Sequence, residues 1–329
     1  MASETLKASA ESLVPVVSVP VGRSRFAVLS ELFKARLTTL VILTTAMGFH
    51  LGNTGPVDWL LFLHAVMGTA LLAAGAAALN EYVERDHDAR MPRTATRPIP
   101  AGEIRPETAL ILGVTTAVMG LTQLAIFVNP LTAFLGMVTL ASYVFVYTPL
   151  KRRTTLNTLV GAIPGAVPPL MGWTAATNSL DAGGWVLFAI LFFWQLPHFM
   201  AIAWLYREDY AKGGYKMLPV LDTTGQRTAA TAIRHTLVLL IFSLMPFTFG
   251  LAGRWYLAAA LVMGMAFLGC GIQFAIERSS ANARRLFFAS IIYLPLLLGV
   301  LVGDKRKPAA WAEPVASTPG ASIQPSNLE

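Results

Sequence analysis

Charge is what this sequence has least of. Asp, Glu, Lys and Arg make up 13% of its 329 residues while 55% are hydrophobic, against about 25% and roughly 45–50% in an ordinary soluble domain. A standard soluble enzyme is therefore excluded. Cysteine is nearly absent: Cys270 stands alone, so no internal disulfide can form, and its apolar neighbours mark it as a packed helix residue. The apolar runs do not alternate with polar residues, which excludes an outer-membrane-type barrel. The N-terminal stretch has no apolar core behind a basic start, so no cleaved signal peptide is expected, and Glu4 and Glu11 argue against an organellar transit sequence. No acidic residue sits in the middle of an apolar run, where a transporter would be expected to carry its site.

What is present is a series of runs about 20 residues long, each able to cross a hydrocarbon core as a helix. Nine spans are expected, at 34–52, 57–79, 107–127, 130–149, 156–176, 184–204, 229–250, 254–276 and 284–302. The fold class is thus all-α, a polytopic membrane bundle over 30–302. A tail precedes it at 1–29, and a Pro-, Ser- and Ala-rich tail over 303–329 is expected to be disordered. The net charge of +7 does not indicate nucleic acid, because the charges lie almost wholly between the runs. Of the 25 Lys and Arg, 21 fall in the N-terminal tail and in alternate loops, which the positive-inside rule places in the cytoplasm with the N-terminus. Lys305, Arg306 and Lys307 after the ninth span are the exception.

The densest acidic cluster leaves the second span as Asn80-Glu-Tyr-Val-Glu84-Arg-Asp86-His-Asp88. On a continuing helix Asn80, Glu84 and Asp88 fall within an arc of about 80°, in a column roughly 12 Å long. All-oxygen donors of this kind suit Mg²⁺, which is usually held by one or two carboxylates plus phosphate oxygens. Asp86 would project elsewhere. The plainer reading is a solvated helix end paired with Arg85, Arg90 and Arg93.

Four spans later a second polar patch runs through Gln195, Pro197 and His198 to Tyr206-Arg207-Glu208-Asp209-Tyr210, suggesting two related halves around one site. His198 could bond a neighbouring helix or touch a ligand. Lys151, Arg152, Arg153 and Asn157, with Lys34 and Arg36, could complement an anion or simply set topology.

These strings resemble the UbiA-type intramembrane prenyltransferases, and within them the heme-farnesylating branch. Asn80-x3-Glu84-x3-Asp88 with Met91-Pro-Arg93-Thr94 is similar to the first diphosphate motif. Tyr147-Thr-Pro-Leu-Lys151-Arg-Arg-Thr-x2-Asn157, Pro197-His198-Phe199 and Asp209-Tyr210-x2-Gly213-Gly214-x2-Met217-Leu-Pro219 are similar to the heme branch. Glu84 stands where Asp is usual, and Tyr206 and Tyr210 stand at the outer acidic positions of the second motif.

The resemblance implies transfer of farnesyl from farnesyl diphosphate to a vinyl group of heme B with addition of water, giving heme O and diphosphate. It implies Mg²⁺ on Asn80, Glu84 and Asp88, with Asp86, Glu208 and Asp209 as further candidates. It implies diphosphate contacts from Lys34, Arg36, Arg93, Lys151, Arg153 and Asn157, and heme contacts from His198, Arg152 and Arg97. A bacterial plasma membrane is expected rather than a mitochondrial one because no transit sequence is visible, and the resemblance implies heme A synthase or cytochrome oxidase assembly factors as partners. A quinone-pathway aromatic prenyltransferase and a transporter of an anionic lipid-like solute are the alternatives.

Overall fold

In lipid, long apolar runs must satisfy their peptide groups internally, so they fold as helices. The computed structural model describes residues 23–306; the expectations for 1–22 and 307–329 lie outside the described residues. A short α1 (Arg25–Leu32) leads into α2 (Ala35–Gly52), α3 (Trp59–Asp88), α4 (Pro106–Phe127), α5 (Pro130–Leu150), α6 (Asn157–Thr177) and α7 (Ala182–Leu205). Two short helices, α8 (Arg207–Lys212) and α9 (Leu218–Leu221), then precede α10 (Gln226–Thr248), α11 (Arg254–Ile276) and α12 (Ser280–Gly303). Among the described residues, eight helices are long and apolar enough to cross a membrane. The first of the nine expected spans is the remaining one, α2, whose 18 residues include Arg36 and His50 and are less apolar than the rest.

Local chemistry sets the helix starts. Asp58 accepts from the Leu60 and Leu61 amides to cap α3, and Asn129 accepts from Thr132 N ahead of Pro130 in α5. Small residues set how the helices approach. Gly48 of α2 faces the Pro169 carbonyl, and Gly172 of α6 faces the Thr45 carbonyl, at separations that leave no room for a Cβ. Gly75 and Gly120 do the same between α3 and α4. α6 carries Pro164, Pro168 and Pro169, yet is buried along most of its length between α2, α5 and α7, where neighbours shield its weakened backbone ladder. Within α5, Ser142–Tyr147 widens into a π-helical turn, a feature often found beside functional sites.

α12 crosses the bundle and ends beside the far end of α2, where Lys305 Nζ donates to the His50 and Asn53 carbonyls. Lys305 and Arg306 therefore sit at the end opposite the acidic exit of α3. That exit, the exit of α7 and the loop after α5 meet at one end: Lys151 reaches Glu84, and Arg93 lies over the rings of Tyr206 and Tyr210. The shared side expected for these segments is what the contacts describe.

Two outcomes follow from this packing. Gly172→Ala should lower stability by about 1–3 kcal/mol, the usual cost of overpacking a tight contact, read as a drop in thermal unfolding temperature in detergent. In a Cys270→Ser background, Thr96→Cys and Arg152→Cys should react with an impermeant thiol reagent from one side of the membrane and Gly55→Cys from the other. Labelling of Thr96→Cys and Arg152→Cys from opposite sides would contradict the topology.

Candidate active site

α3 carries its charged end into the bundle. The four-residue spacing puts Asn80, Glu84 and Asp88 on one face, and all three are buried, at 1%, 4% and 1% exposure. Glu81 is buried beside them. Carboxylates in such a place need partners, and these find them at the end of α5 and in the loop after α3.

Glu84 is held by Lys151 from the end of α5, at 2.7 Å to Oε1 and with a 3.0 Å hydrogen bond to Oε2. Asp88 is paired with Arg97 at 2.5 Å. Asn80 Oδ1 accepts from Lys34 Nζ at 2.6 Å, while its Nδ2 donates to Thr148 Oγ1 at 3.0 Å. Glu81 Oε1 accepts from the Ile99 amide at 3.0 Å, and Thr94 Oγ1 donates to the Asp88 carbonyl at 2.9 Å, so the loop after α3 is folded back over its end. Lys34 is aimed inward because it breaks α1 from α2 in the left-handed conformation, at φ 46°.

Burial opposes every charge here, and the neighbours decide the outcome. Burial, followed by the Arg97 charge, pushes Lys34 down to about 7. Burial also works against Lys151, but Glu84 and the tyrosines around it hold its ammonium well above the ordinary range. Arg97 is likewise desolvated and is held charged by Asp88.

These residues line a cavity of about 400 Å³, which Arg93, Tyr143, Tyr147, Tyr210, Tyr215 and Phe199 also line. A second chamber of about 280 Å³, walled by Leu72, Ala73, Pro164, Pro168, Met171 and Gln195, shares Leu37, Tyr143, Tyr147 and Phe199 with the first. The site is thus a polar mouth opening onto an apolar chamber inside the bundle.

The donors at the mouth fit Mg²⁺. They are all oxygen, and Glu84 Oε1 is buried without an aligned hydrogen bond. Among the described residues no three Asp, Glu, His or Cys side chains converge on one point. A metal shell here needs water and a ligand's phosphate oxygens, which is how Mg²⁺ is commonly held.

The other expected site residues divide. Arg97, Arg93, Lys34 and Lys151 line the mouth, while Arg36 is exposed and lines only an adjoining hollow beside α1 that shares Lys34, Leu37 and Arg97 with it. Asp86 points outward next to Arg85, at 3.8 Å. Glu208 is exposed and Asp209 half-buried; neither lines the mouth, where Tyr210 and Tyr215 stand instead. Arg153 is exposed, and Arg152 bonds His87 Nε2 at 2.9 Å while His87 Nδ1 meets the Gly213 carbonyl at 3.0 Å. That clip fastens the loop after α5 to the loop after α7.

Asn157 is fully buried and donates to the Thr154 and Lys216 carbonyls at 2.6 and 3.0 Å, bracing the same loops without lining the cavity. His198 faces α12: its Nδ1 meets Ser290 Oγ at 2.7 Å and its ring stacks between Trp194 and Phe287. Its neighbour Phe199 faces the cavity.

Sequence reasoning did not single out Glu81, Tyr143, Tyr147, Tyr215, Thr148 or Phe199 as site residues. Glu81 carried a signal, a second acid beside Asn80 inside the end of a span. Tyr143, Tyr147 and Lys151 recur every four residues, but nothing local tells that face from a lipid-facing one.

The sequence model of the UbiA prenyltransferase family matches residues 41–292. This chain belongs to the UbiA prenyltransferase family. Among curated relatives, the protoheme IX farnesyltransferase of Solibacter usitatus is 45% identical over 284 residues, covering 84% of this chain and 97% of the relative. That of Opitutus terrae is 45% identical over 289 residues, covering 88% and 98%. The solved structure of a digeranylgeranylglyceryl phosphate synthase overlaps 85% of this chain and 98% of its own with a TM-score of 0.73 at 16% identity. A UbiA homolog from Archaeoglobus fulgidus bound to GPP and Mg²⁺ overlaps 83% and 99% with a TM-score of 0.58 at 15% identity. At those identities the structural likeness shows the UbiA fold.

His198 gives a test of the site's boundary. His198→Ala should cost about 1–3 kcal/mol of stability through the lost hydrogen bond and ring packing, while Mg²⁺-diphosphate affinity in isothermal titration stays at the parent value. A large loss of that affinity would place His198 in the site.

Proposed function

We propose that this chain transfers the farnesyl group of farnesyl diphosphate to a vinyl group of heme B, with addition of water, forming heme O and releasing diphosphate. The observation that carries the prenyl-transfer part is the polar mouth joined to an apolar chamber at Tyr143, Tyr147 and Phe199. A substrate with a doubly phosphorylated head and a hydrocarbon tail fits that division. The acceptor is supported by the protoheme IX farnesyltransferase relatives and by the Lys151 to Asn157 and Pro197-His198-Phe199 strings. No residue at the site favours the quinone branch or a transporter.

Glu84 and Asp88, with the Asn80 amide oxygen, would hold Mg²⁺, which supplies charge neutralisation at the diphosphate. Lys34, Arg97, Lys151 and Arg93 surround the same oxygens and stabilise the negative charge that grows on the leaving group as its bond to the farnesyl carbon breaks. Lys34, Arg97 and Lys151 would leave their amide or carboxylate partners for a phosphate oxygen, so burial of the substrate's charge is compensated by groups already dehydrated. The allylic cation left at the junction would meet Tyr143, Tyr147 and Phe199, whose ring faces favour positive charge.

The heme propionates have the exposed Arg152 and Arg153 within reach of the rim. The setting we propose is a bacterial plasma membrane with the site on the cytoplasmic side, and a heme A synthase or a cytochrome oxidase assembly factor as the partner that takes the product.

Purified protein given heme B, farnesyl diphosphate and Mg²⁺ should yield a heme whose mass has gained farnesyl and a hydroxyl, read by mass spectrometry of extracted pigment. Prenylated hydroxybenzoate with unchanged heme would overturn the acceptor. Asp88→Asn should lower the rate by on the order of 10²–10³, as loss of one transition-state charge contact does, with the membrane-inserted fold kept. Glu84→Asp, which preserves the charge, should remain active.

A further inference from the structure

The wall of the apolar chamber carries a side-chain carbonyl that meets no donor. Gln195, on α7, is 6% exposed and lines the chamber wall. Its Nε2 donates to the Ala162 carbonyl at 3.2 Å and to the Leu191 carbonyl at 3.1 Å, which uses both amide protons and fixes which end is nitrogen. Among the described residues its Oε1 accepts no hydrogen bond. The threonine hydroxyls on the same wall are otherwise committed: Thr38, Thr69 and Thr139 each donate to a backbone carbonyl at 2.8–2.9 Å.

Gly165 on α6, also in the wall, leaves room for this oxygen, since any Cβ there would collide with Oε1. A carbonyl with free lone pairs, kept clear by a glycine and facing an apolar space, costs about 1–3 kcal/mol unless a donor meets it.

The position of Gln195 says what that donor does. It lies four residues before Phe199, the α7 residue common to mouth and chamber, so it faces the same way about 6 Å further in. Prenyl transfer begins at that junction. When the C1–O bond of farnesyl diphosphate breaks, both electrons leave with the diphosphate, and the vinyl π pair of the acceptor forms the new C–C bond. The positive charge then rests on the vinyl carbon next to the porphyrin. That cation has two fates: it can lose a proton to give an alkene, or take a water lone pair to give the hydroxyl.

We infer that the Gln195 side-chain carbonyl holds the water that becomes the product's hydroxyl. The inference rests on the heme-farnesylation reading above. A water donating to Oε1 presents its lone pairs to the cation. As the C–O bond forms its protons become acidic, the hydrogen bond to Oε1 tightens, and one proton passes to the released diphosphate. The amide itself stays neutral. Gln195 is thus a positioning residue for water, and Gly165 keeps its carbonyl free.

The test is product composition. Wild type, Gln195→Leu, Gln195→Met and Gly165→Ala are each given heme B, farnesyl diphosphate and Mg²⁺ in membranes, and the extracted hemes are resolved by mass spectrometry. Wild type should give the hydroxylated product. The variants should shift toward a farnesylated heme lighter by one water, its fraction rising roughly tenfold or more, as loss of one specific hydrogen bond predicts.

The ratio of the two products does not depend on how much protein folds, so any residual turnover suffices. A variant that is slow but still gives only hydroxylated heme would overturn the inference and leave Gln195 as a tether between α7 and α6. Wild type giving no farnesylated heme would instead overturn the proposed function, a different failure with a different readout.

Discussion

Three carboxylates and an amide within the last three turns of α3, all removed from water, are the constraint around which the rest of the bundle is arranged. Leaving one of the carboxylates as an uncompensated charge in such surroundings costs about 3–5 kcal/mol. Their partners come from separate places in the chain: Lys34 ahead of α2, Arg97 from the loop after α3, Lys151 from the end of α5. Satisfying the charges thus draws three segments onto one helix end, and the Glu81 contact with Ile99 fixes the intervening loop. The left-handed break at Lys34 and the widened turn in α5 belong to the same requirement, since each lies where a helix brings a cation or a tyrosine to that point.

Much of this was legible in the sequence, because it depends on spacing along one helix. Asn80, Glu84 and Asp88 share a face whatever the rest of the chain does, and Asp86 is turned away by the same rotation. The spans were legible because a bilayer imposes length and composition; the first is the one the structure leaves least apolar, since Arg36 and His50 stand within it.

What could not be read is what depends on which way a helix faces. His198 and Phe199 are one residue apart, and about 100° of rotation sends one to Ser290 and the other to the cavity. Asn157 looks like a ligand from its place in a basic string, yet it braces two loops through backbone carbonyls that sequence does not bring together. Around α8 the sequence pointed to the acids Glu208 and Asp209 as ligands, whereas Tyr210 and Tyr215 are the residues that line the mouth.

The two joined compartments differ in what they will release. Diphosphate, once detached, is stable only toward the charged rim and the water beyond it. A product with a farnesyl tail is stable only toward hydrocarbon. Because the compartments share Leu37, Tyr143, Tyr147 and Phe199, a reaction at that border, as proposed, would separate its two products by solubility at the point where the bond breaks. The partition of products between water and lipid would then draw the reaction forward across an interface made of protein.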